Sequence, residues 1–351
     1  MHRLISTSTI LEHEISELRL LIERQTGIVL DCPNSALAAR VADFIEIQDL
    51  ESSTALLDRL RSSEQDPSSL PSLLDGLLNT NTGFFRNPGA LNAFARQVLP
   101  QLCARRSTET GGPIRIWSAG CGSGEETYSI AMAVCDAVTP ANVSLFNQGN
   151  GTGKVSTRNG NIAENSQGTP TQPLKLNAGC SIHIVGSDLL PASIETADRG
   201  IYCLSALEGL PPATIRNYFS KIGSSATTSL NNWQAEAFPE AAVPQSSSSA
   251  VQLLVKPRLR SLVTFNCMNL ARPGYIGRFD CIFCMDVLPH FSRVQRLAVL
   301  ERLHLYLEPG GYLFLSQTEK LSAPNLNFRS ETFDGYTFHR KPLAASAAYG
   351  R

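Results

Sequence analysis

The run Ile114-Arg115-Ile116-Trp117-Ser118-Ala119-Gly120-Cys121-Gly122-Ser123-Gly124-Glu125-Glu126-Thr127-Tyr128-Ser129 decides the fold. Its apolar opening (Ile114, Ile116, Trp117) predicts a buried parallel strand. It breaks at Gly120, Gly122 and Gly124, then continues as a helix through Ile130, Ala131 and Val134. Strand, glycine turn and helix make the nucleotide-cradling unit of doubly wound folds. Glycine lets backbone approach a ligand where a Cβ would collide, and the helix start offers free N–H groups. This helix begins Glu125-Glu126. Acids there suit the helix dipole, but they would repel a pyrophosphate. A ligand with cationic and hydroxyl groups and no phosphate fits better, which moves the expectation from NAD, and from a dehydrogenase, to S-adenosyl-L-methionine (AdoMet).

Downstream, Ile182-His183-Ile184-Val185-Gly186-Ser187-Asp188 reads as a second strand ending in an acid. Such an acid accepts hydrogen bonds from ribose hydroxyls, and lies about 20 residues past the glycines in dinucleotide folds. Here the interval is longer because residues 140–178 are rich in Gly, Asn, Gln, Ser and Thr, a composition that reads as a mobile insertion. The alternative for Asp188 is to cap the helix opening near Pro191. A second low-complexity stretch, 223–250, reads as a loop. Leu253–Val255 and Leu262–Phe265 predict strands of a hairpin, Phe279–Cys284 a buried strand, Val294–Leu307 a helix, and Pro309-Gly310-Gly311 a turn into a last strand. Alternation of strands and helices implies an α/β fold: a doubly wound, mostly parallel sheet.

Ahead of the glycine run, apolar residues recur at helical spacing. Leu11, Ile15, Leu18 and Ile22 form one stripe ended by Gly27. Leu37, Val41 and Phe44 form another, Leu56, Leu57 and Leu60 a third, and Leu70 to Leu78 a fourth. These predict a small helical N-terminal domain over 1–78, followed by a linker and connecting helix over 79–105 that ends near Pro100. The remaining 106–342 form the sheet domain with its small inserted β subdomain, and 343–351 a tail.

The chain has 351 residues, with 30 Lys and Arg against 31 Asp and Glu and a net charge of −1, so no basic field argues for nucleic acid or an anionic membrane. Hydrophobic content of 42% suffices for a core, and no stretch is long enough to span a bilayer. The start, Met1-His2-Arg3-Leu4, has no signal-peptide core. Nine scattered cysteines read as reduced thiols, and the lone Cys281-x-x-Cys284 lies within a predicted strand without a second pair, so no metal site is expected. The expectation is a cytoplasmic monomer that neither enters a membrane nor binds nucleic acid.

Several collinear blocks resemble one family, the CheR-type chemotaxis methyltransferases, class I AdoMet-dependent enzymes that methylate receptor glutamates. The blocks are Thr82-Gly83-Phe84-Phe85-Arg86, Trp117–Cys121 with Gly124–Ser129, Ser187-Asp188, Ala197–Tyr202, Asn269-Leu270, Phe279–Cys284, and Pro309–Leu315 with Glu319. The resemblance implies a protein-glutamate O-methyltransferase acting on the cytoplasmic domain of a methyl-accepting chemoreceptor. It implies that Thr80, Thr82, Arg86 and Gly120 belong to the cofactor site, with Arg86 near the methionine carboxylate or the substrate. Glu125 lies by the amino-acid end of AdoMet, Asp188 at the nucleoside, Asn269-Leu270 beside adenine, and Asp286-Val287 at the floor. The small sheet before Asn269, including Leu253 to Phe265, is where the family touches its receptor. This chain departs from the family pattern at Thr80, at Met285-Asp286 (usually Arg-Asn) and at His290-Phe291 (usually Tyr-Phe). Asp286 would repel a glutamate carboxylate unless Arg86 or protonation compensates. A glutamate acceptor, with a reference pKa of about 4.3, is already anionic and needs no general base, so catalysis rests on alignment. With an amine or hydroxyl acceptor His290 or Asp286 would be the candidate base. The alternatives are a same-fold methyltransferase with a changed acceptor and a non-catalytic AdoMet or receptor-tail adaptor.

Overall fold

Ile114–Ala119 is a strand, β1, because its alternate residues are apolar on both faces, and it is buried along almost its whole length. The computed structural model describes residues 10–62, 73–75, 77, 82–108, 112–138, 181–222, 251–274, 277–319, 321, 323 and 325–343. Thr80 and the stretches 140–178 and 223–250 lie outside the described residues, as does most of the fourth apolar stripe, of which Leu73, Leu74 and Leu77 are buried.

Among the described residues the chain opens with α1 (Glu12–Thr26), α2 (Asn34–Ile47) and α3 (Ser53–Arg61), and residues 73–75 and 77 are helical again. Gly27, at φ +78°, ends α1 as its spacing predicted. The buried Glu14 carboxylate accepts from Leu11 N–H (2.9 Å), Ser53 Oγ (3.0 Å) and Thr54 Oγ1 (3.1 Å), tying the start of α1 to α3. The helix read over residues 90–104 is longer: α4 (Pro88–Ala93), a π-turn (Phe94–Val98) and α5 (Leu99–Thr108). It does not stop near Pro100. In the wide turn Leu99 N–H reaches the Phe94 carbonyl, immediately ahead of a ring that has no N–H to give and would crowd an ordinary α-turn.

The rest alternates as expected: α6 (Glu125–Val138), β2 (Ile182–Asp188), α7 (Pro191–Arg199), β3 (Ile201–Cys203), α8 (Pro212–Tyr218), β4 (Phe219–Lys221), β5 (Gln252–Val255), α9 (Pro257–Arg260), β6 (Val263–Cys267), β7 (Phe279–Cys284), α10 (Arg293–Tyr306), β8 (Leu307–Leu315), β9 (Arg329–Phe333) and β10 (Tyr336–Arg340). Seven strands form one sheet in the order β6-β2-β1-β7-β8-β10-β9. The first five are parallel to their neighbours, and β10 pairs antiparallel with both β8 and β9. A three-stranded antiparallel sheet, β3-β5-β4, is inserted between α7 and β6.

Leu253 to Phe265 is not a hairpin. Pro257 opens the short α9, so β5 stays in the small sheet while β6 leaves it to pair parallel with β2, Val263 beside Ile184. The turn read at Pro309-Gly310-Gly311 is a bulge inside β8, where five residues oppose two of β7: Leu307 faces Phe279 and Tyr312 faces Cys281.

The central sheet has an apolar layer on each side. On one, Phe94 meets Phe283 edge-on at 5.3 Å, and Phe283 stacks on Phe314 at 4.6 Å. On the other, Trp117 stacks on Phe279 at 5.3 Å, and the same core runs on through α10 into Ile15, Leu18, Val41 and Leu57 of the N-terminal helices. Cys281 and Cys284 fall on opposite faces of β7, one in each core, so their sulfurs do not converge. Burial pushes both thiols well above their usual pKa. Among the described residues no helix is long and apolar enough to cross a membrane.

Candidate active site

Parallel sheets bind ligands beyond the carboxyl ends of their strands, where the strand order reverses. Here that point lies between β1 and β7, and a cleft of about 320 Å³ opens there. Its walls come from Ile28 after α1, Thr82–Leu91, the glycine turn with the start of α6, the end of β2, the stretch after β6, and the end of β7 with the stretch after it.

The glycine turn is pinned to β2. Gly120 N–H and Cys121 N–H both donate to the Ser187 carbonyl, at 2.8 and 2.9 Å, and Gly122 N–H donates to Asp188 Oδ2 at 2.9 Å. Gly120 (φ +83°) and Gly122 (φ +54°) adopt left-handed backbone that a side chain would strain. The space a Cβ would take belongs to protein, which differs from the simple expectation of ligand approach. A Cβ at Gly120 would lie 2.4 Å from Val287 Cγ2, and one at Gly122 2.2 Å from Thr82 Cγ2. The glycines thus let two other cleft segments close in on the turn.

The Thr82–Arg86 block lies across the start of α6. Thr82 Oγ1 and Ser123 Oγ are 3.0 Å apart, and Phe85 N–H donates to Ser129 Oγ at 3.0 Å. Phe84 is edge-on to Tyr202 (5.0 Å) and Phe219 (5.5 Å) in the small sheet, while Phe85, at φ +53°, lines the cleft. The two aromatics therefore do different things: one anchors, the other forms wall.

Thr82, Arg86, Gly120, Asp188, Asn269, Leu270, Asp286, Val287 and His290 all line this one cleft. Glu125 does not. Its carboxylate accepts from Ser123 Oγ (3.0 and 2.9 Å) and is buried behind the turn. The wall acid is Glu126, one residue and about 100° further round the helix. Adjacent acids at a helix start look alike in a sequence, so this choice was not readable there. Glu126 accepts from Ser118 Oγ at 2.7 Å. Burial, with Asp286 and Glu319 as negative neighbours, pushes its pKa up to about 7 against the pull of that hydrogen bond and of Arg86.

Asp188 lines the cleft and also holds the backbone at the entry to α7, where no side chain caps the helix. Its Oδ1 accepts from Leu190 N–H at 3.0 Å at the entry to α7, its Oδ2 from Gly122, and it still faces the cleft. Leu189 N–H is a third backbone donor to it, so of about four acceptor positions one remains open to the cleft. Burial raises its pKa despite these bonds. Asn269 Oδ1 accepts from Ala271 N–H at 2.8 Å, shaping the loop after β6, and Arg302 donates to the Leu270 carbonyl.

After β7 the chain turns sharply through Asp286, a non-glycine residue at φ +59°. Glu319 holds this turn: its carboxylate accepts from Asp286 N–H (3.3 Å), Leu288 N–H (3.0 Å) and Ser316 N–H (2.8 Å), joining the ends of β7 and β8. Arg86 Nε lies 3.6 Å from Asp286 Oδ2. His290 is exposed at the cleft rim. Wall residues not foreseen from the sequence are Ile28, Leu91, Met268 and Phe291, apolar side chains whose spacing reads as ordinary core.

AdoMet fits this set. The cleft carries acids for an ammonium, a sulfonium and ribose hydroxyls, one guanidinium for a carboxylate of either the methionine end or an acceptor, and apolar walls for adenine and thioether carbons. Among its lining residues Arg86 is the sole Lys or Arg, where a pyrophosphate would call for more. The sheet order, the glycine turn, the acid closing β2 and this cleft define an AdoMet-dependent methyltransferase of the doubly wound class. More narrowly, the chain belongs to the CheR methyltransferase family: residues 80–147 and 229–336 match the "CheR methyltransferase, SAM binding domain". It is similar to "Chemotaxis protein methyltransferase 1" of Pseudomonas aeruginosa, 28% identical over 87% of this chain and 89% of that one. It is also similar to "Chemotaxis protein methyltransferase Cher2" of Pseudomonas putida, 26% identical over 88% and 90%. A "Chemotaxis protein methyltransferase" of Vibrio parahaemolyticus is 26% identical over 90% and 91%.

Proposed function

We propose that this enzyme esterifies glutamate side chains in the cytoplasmic domain of a membrane chemoreceptor, working as a cytoplasmic monomer. The observation that carries the reading is the single guanidinium of Arg86 among the cleft walls, across from Asp286 on the stretch after β7. It is a cation placed to receive an anionic acceptor, and the relatives bear the name chemotaxis protein methyltransferase.

When bound, AdoMet supplies an electrophilic methyl group on a sulfonium. The residues named from the sequence divide the remaining work. Asp188 receives a ribose hydroxyl, Asn269 and Leu270 flank the base, and Gly120 and Val287 set the floor. Thr82 fixes the Thr82–Arg86 block onto Ser123, with Glu125 steadying Ser123 from behind. Glu126 supplies negative charge beside the sulfonium. Arg86 orients the acceptor carboxylate, already ionised at neutral pH. His290 forms the rim and moves no proton in this reaction. The rate comes from holding acceptor and methyl in line, and from excluding water with Phe85, Met285 and Phe291.

The test is transfer of labelled methyl from AdoMet to receptor-bearing membranes, read as base-labile methanol. Label released by base supports a glutamate ester. Label that resists base, with AdoMet binding intact, would assign a different acceptor.

A further inference from the structure

The N-terminal helices have no role so far beyond packing, yet the connector leaving α1 touches two cleft segments at once. At Gly27 the chain is so close to the loop after β6 that a Cβ there would lie 2.5 Å from Ala271 Cβ, and its φ of +78° already excludes most side chains. Next, Ile28 forms an isolated antiparallel bridge with Phe291, and Val29 N–H donates to the His290 carbonyl at 2.8 Å. Ile28 and Phe291 themselves line the cleft.

The connector is held from both sides. Thr26 Oγ1 donates to the Ile22 carbonyl at 2.7 Å and accepts from Ile28 N–H at 3.1 Å. Arg19 donates to the carbonyls of Leu30 and Cys32 and, at 3.2 Å, to Asn34 Oδ1. From the other side, exposed Arg272 reaches the last carbonyls of α1, those of Arg24 (3.2 Å) and Gln25 (3.3 Å). Cations are favoured at that end of a helix.

We propose that Gly27, Ile28 and Val29 are positioning residues of the cofactor cleft, fixing the spacing between the Asn269–Arg272 loop and the Val287–Phe291 stretch. The Asn269–Arg272 loop holds no regular strand or helix, and the Val287–Phe291 stretch holds a single 3-10 turn, Leu288–His290. Segments of that kind keep a defined geometry only when braced from outside. AdoMet binding and docking of the N-terminal helices are then coupled, and the coupling is reciprocal: each strengthens the other by the same factor.

The test uses the full chain. Calorimetric titration with AdoMet is run on the parent, Gly27→Ala, Arg272→Met and Arg61→Ala, and amide exchange at Val29 is followed with and without S-adenosylhomocysteine. Arg61 pairs with Glu17 and Asp58 within the same helices, away from the cleft, so it reports general loosening. Arg272→Met removes only an exposed guanidinium and decides the matter even if Gly27→Ala fails to fold. The expected result is a threefold to tenfold weaker AdoMet Kd in Arg272→Met and a larger loss in Gly27→Ala. Arg61→Ala binds as the parent does, and cofactor slows Val29 exchange severalfold. Parent-like AdoMet affinity in Arg272→Met, or Val29 exchange indifferent to cofactor, would overturn the proposal.

Discussion

Arg86 Nε and Asp286 Oδ2, 3.6 Å apart, form an ion pair that joins the segment before α4 to the turn after β7. The two side chains are 52% and 30% exposed, so water screens the pair and it is worth less than about 1 kcal/mol. Weakness is what the position calls for. On the proposed reading Asp286 holds the guanidinium until an anionic acceptor arrives, and so weak a pair is displaced without a large cost. The left-handed backbone of Asp286, held through Glu319, aims its carboxylate across the cleft.

Replacing Asp286 by Asn keeps a residue that tolerates left-handed backbone and releases Arg86 from its competitor. The apparent KM for receptor membranes should fall by about twofold to fivefold, the range a screened pair allows, with kcat little changed. Arg86→Ala should raise the same KM by more than about tenfold. Initial rates against membrane concentration measure both. An unchanged KM in Asp286→Asn would mean that the pair plays no part in acceptor binding.

Glu126 predicts a pH dependence of defined sign. Its folded pKa, about 7, lies above the ordinary 4.5 chiefly because of burial. Its contribution to stability is therefore fully present below the unfolded pKa and is lost as pH rises through 7. Glu126→Gln, which mimics the neutral form, should flatten that decline and raise Tm relative to the parent at pH 8. AdoMet affinity should run the other way. A cationic ligand favours the ionised acid, so the parent should bind more tightly at pH 8 than at pH 6, and the Gln variant should lose most of that change. Thermal melts and calorimetry at the two pH values check each half.

Asp188→Ala removes the acceptor for Gly122 N–H and Leu190 N–H as well as the acid that β2 presents to the cleft. AdoMet Kd should rise at least about tenfold, consistent with loss of charge-assisted hydrogen bonds worth about 1.5–3 kcal/mol. Asp188→Asn, which keeps one acceptor oxygen, should fall between. Calorimetry distinguishes the three proteins.

At the other end of β7, Asp280 is 1% exposed and accepts from Arg105 (2.8 Å), Arg106 (2.7 Å) and Arg115 N–H (2.9 Å). Asp280→Ala leaves two guanidinium groups partly buried without their carboxylate, a loss of about 3–5 kcal/mol. Urea unfolding should show this. AdoMet affinity at low temperature should hardly change, because the cleft lies beyond the opposite end of the strand.

The sequence announces the elements whose chemistry is local. Three glycines after an apolar strand, and an acid closing the next strand, are legible because backbone strain and ligand charge restrict which residues serve. Where two residue types are equivalent locally, tertiary packing decides. Glu125 and Glu126 differ only by their rotation about α6, and Ile28 reads as core until Phe291 is found beside it. The hairpin expected over Leu253–Phe265 failed for a related reason. Both strands exist, but which sheet each joins is a long-range choice, made when α9 redirects the chain toward β2.

The small sheet carries one more consequence. β4 and β5 are antiparallel neighbours, Lys221 lies opposite Leu253, and Ile222 N–H donates to the Gln252 carbonyl at 3.1 Å. The chain thus leaves at 222 and returns at 251 about one strand spacing away. Closing such a gap costs only about 0.6 kcal/mol for each doubling of the connecting length. Length is therefore nearly a free variable at this point. The pairing of β4 with β5 thus fixes where the two ends stand, whatever the number of residues between them.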